Sequence, residues 1–160
     1  MPVARYIEPM KTFQTLKEMP ALVGQEVAVS DWLTITQEQV NQFAQATGDH
    51  QWIHVDVERA KAGPFGAPIA HGFLTLSLLP RFFESTIAIA ESRMGVNYGL
   101  NRVRFMAPVP VGSRLRARLK LLQCEAIDRQ GLQMTWEVTI EREGAPKPVC
   151  VAESIGRHYP

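Results

Sequence analysis

Ile69-Ala70-His71-Gly72-Phe73-Leu74-Thr75-Leu76-Ser77-Leu78-Leu79, with Pro80-Arg81 behind it, is the stretch on which the architecture turns. Its apolar residues lie nearly all round a helical wheel, the signature of a helix buried on every side, so other elements must wrap it. Pro80 is placed to kink or divide that helix, with residues 81–90 continuing as a second helical piece. Downstream the spacing changes from helical to alternating. Leu115, Ala117, Leu119 and Leu121 face one way and Arg114, Arg116, Arg118 and Lys120 the other. Leu132, Met134, Trp136, Val138 and Ile140 alternate likewise with Gln133, Thr135, Glu137, Thr139 and Glu141, and the two runs join through Asp128-Arg129-Gln130-Gly131. The outer faces then set Arg and Lys against Glu, pairs that fix register more than stability. Residues 94–106 and 149–155 complete a set of about five strands. A long buried helix followed by antiparallel strands predicts an α+β fold in which a curved sheet wraps a central helix.

Upstream, residues 26–35 have the β-branched content of a strand, and Thr36 stands as an N-cap with Gln39 three residues on. Val40, Phe43 and Ala44 share one face of the short helix that follows, and Gly48 is placed to end it. Asp49 therefore sits on fixed backbone. From 51 to 68 the periodicity is lost, with Gly63-Pro64 and Gly66-Ala67-Pro68 as breakers, so this stretch reads as an irregular excursion returning at His71-Gly72.

A chain of 160 residues fits one domain, able to bury about two thirds of its unfolded surface. Seventeen basic and sixteen acidic side chains leave a net charge of +1, so no bulk field draws the protein to nucleic acid or to an anionic membrane. The first nineteen residues mix charges and prolines and lack the apolar run of a signal peptide. The most apolar stretch is too short and too broken to span a bilayer. A soluble, cytoplasmic protein is expected, with Cys124 and Cys150 reduced and structural.

The chemistry gathers around Ala46-Thr47-Gly48-Asp49-His50-Gln51-Trp52-Ile53-His54-Val55-Asp56, where a carboxylate and an imidazole stand five residues apart just beyond a helix-ending glycine. Such a pair suits general acid/base work, since histidine titrates near neutrality. His71-Gly72 opens the apolar helix, whose N-terminal amides can meet a developing oxyanion. Each residue also has a plain structural role open to it. Asp49 can cap a turn, His54 can be a core histidine, and Gly72 can serve packing alone. Their joint occurrence favours catalysis.

The run Phe43-Ala44-Gln45-Ala46-Thr47-Gly48-Asp49-His50-Gln51-Trp52-Ile53-His54, then Ala60, then Pro68-Ile69-Ala70-His71-Gly72, resembles the MaoC-like (R)-specific enoyl-CoA hydratases and dehydratases, nearest to their nodulation-protein-N-like branch. The resemblance covers roughly residues 25–155. It implies a hot-dog fold for residues 25–160, with 1–24 as an N-terminal extension. It also implies hydration of a trans-2-enoyl-CoA to an (R)-3-hydroxyacyl-CoA, or the reverse dehydration, which makes the protein a hydro-lyase. Asp49 and His54 match the family's catalytic pair, and the amide of Gly72 would hold the enolate oxygen. No cofactor of the protein's own is implied, because CoA arrives with the acyl thioester substrate. A homodimer is expected, and Phe13, Leu16, Met19 and Leu22 of the extension can lay an amphipathic piece across the partner. Where most members have Asn-Pro between the catalytic residues this chain has Gln51-Trp52. Gln51 keeps an amide that can support the active-site loop, and Trp52 can reshape the acyl pocket. Arg81, Arg102 and Arg104 are candidates for phosphate contacts.

Rival readings are a hot-dog acyl-CoA thioesterase and a non-catalytic acyl-thioester-binding subunit, the latter disfavoured by the intact Asp49/His54 pair. His50 and His54, four residues apart, invite a zinc reading, but the segment follows a helix stop and lacks the Glu of HExxH, so no metal is expected. His50 is expected at the surface and His71 bonded to nearby backbone.

Overall fold

The computed structural model describes residues 8–160. The expectations that rest on residues 1–7, at the start of the extension, lie outside the described residues. The sheet is built around the hairpin of β6 (Arg114–Ala126) and β7 (Leu132–Arg142), joined through the turn whose Arg129 and Gln130 both adopt positive φ. The alternation read from sequence is observed for the inward residues, with Leu115, Ala117, Leu119 and Leu121 packing with Leu132, Met134, Trp136, Val138 and Ile140, but Thr135, read as outward, is itself buried at 7% exposure. On the outer face Arg116 and Arg118 both reach Glu141, and Arg118 also reaches Glu26. Beyond β7 come β8 (Cys150–Tyr159) and then β5 (Met94–Arg104), both antiparallel; on the other side of β6 lies β2 (Glu26–Val29).

Residues 26–35 do not form one strand. β2 stops at Val29, and β3 (Leu33–Thr34) pairs separately with β6. The break has a local cause at Ser30, whose amide donates to the Ala117 carbonyl while its hydroxyl, in place of its own carbonyl, accepts from the Ala117 amide at 2.8 Å. The side chain thus closes the ladder and lets the backbone turn away.

The central helix is two short pieces, α4 (Gly72–Ser77) and α5 (Leu79–Glu84), divided at Leu78. Pro80 falls in the first turn of α5, where its missing N–H removes no helical bond. The second piece ends six residues sooner than the expected residue 90. The Ser85 and Thr86 hydroxyls donate to the Phe82 carbonyl at 3.1 and 2.6 Å and close the helix there. That frees β4 (Ile87–Ile89) to pair in parallel with β1 (Lys11–Phe13). Nor is the helix buried all round: Leu74, Leu79 and Phe82 face the core, but Phe73 is 69% exposed beside Phe105.

The described part of the extension packs on its own chain. Leu16 and Met19, on a 3-10 turn over Leu16–Leu22, enter the core, Met19 with 0% exposure. The amphipathic piece expected to cross a partner therefore packs, through Leu16 and Met19, on the protomer itself. Among the described residues no helix is long and apolar enough to cross a membrane. Cys124 and Cys150 are free thiols whose pKa values burial pushes up to about 11, which keeps both protonated and unreactive.

Candidate active site

α1 (Gln37–Thr47) begins with the expected capping box between Thr36 and Gln39 and ends with Gly48 in the left-handed region, φ 80°. That glycine turns the chain sharply and delivers Asp49 to the helix end. The Asp49 amide donates to the Thr47 hydroxyl at 3.4 Å, and its Oδ1 accepts from the Gln51 amide at 3.3 Å. Asp49 therefore caps a turn and still presents an exposed carboxylate.

The excursion after it is more regular than its sequence suggests. α2 (Trp52–Val55) and α3 (Val57–Lys61) are two single turns of helix, with Asp56 capping the second by accepting from the Arg59 amide. Trp52 lies flat over Gly63, where an added Cβ would come within 2.9 Å of its ring, and beneath the Arg59 guanidinium at 4.3 Å. It clamps α2 to α3. Gln51 precedes α2, and its carbonyl accepts from the His54 amide at 3.0 Å.

α2 turns His54 inward, to 6% exposure. Its Nδ1 stands 2.6 Å from the Ile69 carbonyl, which can only accept, so Nδ1 carries the proton and Nε2 keeps a lone pair. Gln37 Nε2 donates to the His54 carbonyl at 2.9 Å and ties α2 to α1. Burial lowers the His54 pKa below the ordinary 6.5; the bond to Ile69 opposes this, the His71 side chain adds to it and the Asp49 charge opposes it. The imidazole is thus held neutral at neutral pH, the form a base requires.

His71, read from sequence as a backbone-bonded histidine, is the third member of the cluster. It is 2% exposed, and its Nε2–H donates to the Asp49 carbonyl at 3.0 Å. Its ring stacks on His54 with centroids 3.9 Å apart at 25°, and Phe43 leans on it at 4.9 Å. The signal was its place beside Gly72, which sequence reasoning credited only to the glycine. Gly72 opens α4, so its amide has no acceptor within the helix. An added Cβ there would meet the Phe105 ring at 3.1 Å, so the glycine also serves packing.

Ligand atoms of Asp49, His54 and His71 lie within 4.8 Å of one another. A tetrahedral ion needs lone pairs that converge at about 2 Å. Stacked imidazoles aim theirs side by side, and one nitrogen of each ring is already bonded to a carbonyl. The spacing suits a water molecule better, since two hydrogen bonds of about 2.8 Å meeting at one oxygen span such a gap. His50 is exposed and stands outside the cluster. Arg81 lies exposed on α5, and Arg102 and Arg104 lie exposed on β5, shortly before the Phe105 that covers Gly72.

The sequence pattern of the MaoC-like domain family matches residues 18–143. The chain is 56% identical to the 3-hydroxyacyl-thioester dehydratase Z of Mycobacterium tuberculosis over 93% of its own length and 99% of that protein's. It is 48% identical to nodulation protein N of Rhizobium leguminosarum, covering 88% of this chain and 89% of the relative. The solved structure of an R-hydratase from Pseudomonas aeruginosa superposes with a TM-score of 0.65 at 26% identity, over 86% of this chain and 81% of that one.

Proposed function

Because the chain belongs to the MaoC-like domain family, and its fold is the hot-dog of the (R)-hydratases, we propose that it interconverts trans-2-enoyl and (R)-3-hydroxyacyl thioesters with Asp49 and His54 as its acid/base pair. The observation that carries this reading is the gap of at most 4.8 Å between the exposed Asp49 carboxylate and the buried, neutral His54 imidazole. In the hydration direction one water bridges them. His54 Nε2 takes a proton as the water oxygen bonds to C3, the π electrons move to the thioester oxygen, and that oxygen meets the Gly72 amide. Collapse of the enolate then takes a proton at C2 from the pair, so the water's two hydrogens end on the new hydroxyl and on C2. Gln51 donates its backbone N–H, not its side-chain amide, to the Asp49 carboxylate, and Trp52 stiffens the loop that carries both groups. Arg102 and Arg104, exposed on β5, would meet the phosphates of the thioester carrier.

The protein works as a homodimer through β5. This is an eleven-residue edge strand with Met94, Val96, Tyr98 and Leu100 all exposed, an edge and an apolar surface that an isolated protomer leaves open. Mixing the protein with crotonyl-CoA tests the reaction. Loss of the enoyl absorbance with formation of the (R) alcohol is expected. Release of free thiol with the double bond intact would make the protein a thioesterase instead.

A further inference from the structure

We propose that His71 is the positioning residue of the acid/base pair, holding Asp49 by its backbone and His54 by its ring, with the Thr75 hydroxyl selecting the tautomer that lets it do so; this rests on the reaction proposed above. Asp49 stands on a loop and His54 on a single turn of helix, and such short pieces are marginal by themselves. What fixes the gap between them is the segment 69–71. The Ile69 carbonyl accepts from His54 Nδ1–H at 2.6 Å, and the Asp49 carbonyl accepts from His71 Nε2–H at 3.0 Å. Two residues of one backbone segment therefore set where both reacting groups stand.

That segment is itself anchored. The Ile69 amide donates to the Ile53 carbonyl at 3.0 Å, the Ala70 amide to the Val109 carbonyl at 2.8 Å, and the Val111 amide to the Pro68 carbonyl at 2.8 Å. It is thus tied both to α2 and to the chain that leads into β6. The loop of Asp49 is held more weakly by its own neighbours, through the Thr47 hydroxyl at 3.4 Å and the Gln51 amide at 3.3 Å. The bond from His71 ties that loop to the start of α4.

A carbonyl only accepts, so His71 can make this bond only with its proton on Nε2, which leaves a lone pair on Nδ1. The ring cannot turn over to exchange its nitrogens, because His54 stacks on it with centroids 3.9 Å apart and Phe43 leans on it at 4.9 Å. Nor can it carry a second proton without setting a positive charge against His54 as His54 takes one. Nδ1 must therefore accept. His71 and Thr75 are each 2% exposed, and Nδ1 and the Thr75 hydroxyl are both shut off from solvent with no partner among the described residues. Leaving either alone in the interior is costly. The Thr75 amide donates to the His71 carbonyl, which puts the two residues one turn apart. Residues so spaced stand about 5–6 Å apart at Cβ, a span that one water closes by accepting from the hydroxyl and donating to Nδ1. That arrangement keeps the His71 proton on Nε2 and the ring neutral.

The test measures kcat and KM for crotonyl-CoA on the wild type, His71→Leu, His71→Gln, Thr75→Val and Thr75→Ser, with thermal unfolding of each. Misplacing a reacting group by about 1 Å can cost about 10²-fold in rate. His71→Leu, which fills the space but donates nothing, should lower kcat about 10²-fold and leave KM within about threefold. His71→Gln returns a donor and should recover about tenfold of that loss. Thr75→Val, nearly isosteric, should lower kcat about fivefold, and Thr75→Ser should restore it. A role in packing alone predicts the opposite order at both positions, with Leu and Val the better replacements. Long-range nitrogen–proton correlation spectra of the four histidines read the tautomers directly, His71 being the signal lost in His71→Gln. At neutral pH His71 should carry its proton on Nε2 and His54 on Nδ1, and Thr75→Val should lower the Nε2–H share of His71. Wild-type kcat in His71→Leu, or a His71 proton on Nδ1 in the wild type, overturns the positioning role and leaves the reaction standing. No hydration by the wild type, with the tautomers as stated and moved by Thr75→Val, overturns the reaction and supports the placement of the pair by His71. Should His71→Leu fail to fold, the two Thr75 variants and the spectra decide in the same way.

Discussion

Asp49 and His54 must act as one unit if a single water passes between them, and that dictates how their substitutions combine. Asp49→Asn and His54→Ala should each lower turnover by about 10² to 10⁴, and the double variant should lose little more than the worse single. Asp49 is exposed, so circular dichroism melts of Asp49→Asn should stay close to wild type, whereas His54→Ala, which leaves the buried Ile69 carbonyl without its donor, should still fold but lose about 1–3 kcal/mol of stability. Variants that melt normally and retain full hydration rates would move the site elsewhere. The protonation of His54 gives a second expectation. Its pKa is lowered by burial, and the base must be neutral, so kcat/KM falls as pH drops through a value below 6.5. His158 is also lowered by burial. For both, the unfolded chain binds protons near pH 6.5 that the folded one refuses, so stability is full above 6.5 and declines as pH falls below it. A urea midpoint that rises on acidification from pH 7.5 to 5.5 would contradict this. At this scale the pair itself was legible from its five-residue spacing. His71 was not, because nothing local in the chain shows that a ring twenty-two residues away donates to the Asp49 carbonyl and stacks on His54.

The element that positions Asp49 is α1, and its last joint is Gly48. At φ 80° any side chain is strained even though space is open around the Cβ position. Gly48→Ala should cost about 1–2 kcal/mol of stability, read from thermal or urea unfolding. It should also lower kcat by displacing the carboxylate from His54; unchanged kcat would mean that the turn does not set the pair's geometry. The caps of α1, the hairpin turn at 128–131 and the alternation of β6 and β7 could all be read from sequence. Each depends on residues within a few positions of one another. What escaped depends on distant partners. The end of β2 needs Ser30 to find the Ala117 amide, and β4 exists because residues 87–89 meet a strand from the other end of the chain. The two turns of helix in the excursion are too short to show a period, and Trp52 stacked under Arg59 holds them together.

For the whole molecule, the homodimer proposed above rests on the open edge of β5. Light scattering on an exclusion column should give the mass of two chains, and Leu100→Lys, which sets a charge on the open edge, should shift it toward one. A wild type that remains single at micromolar concentration would rule out the β5 dimer. The overall architecture was legible because a mostly apolar helix followed by alternating strands has few ways to bury both. The order of the strands was not, since β8 lies between β7 and β5 and pairs with a strand that ends some forty-five residues before it begins. That order has a consequence in time. The hairpin of β6 and β7 closes over five residues, an event of roughly microseconds, whereas β5 must wait for the entropy of a long loop to be overcome. β8 therefore spends the last part of folding with one edge bare. Arg129 and Gln130 hold the early turn in left-handed backbone, so Gln130→Gly, which relieves one of them, should speed refolding in stopped flow and leave the unfolding rate nearly unchanged. Substitutions along β5 should do the reverse, hastening the departure of the strand that arrives last.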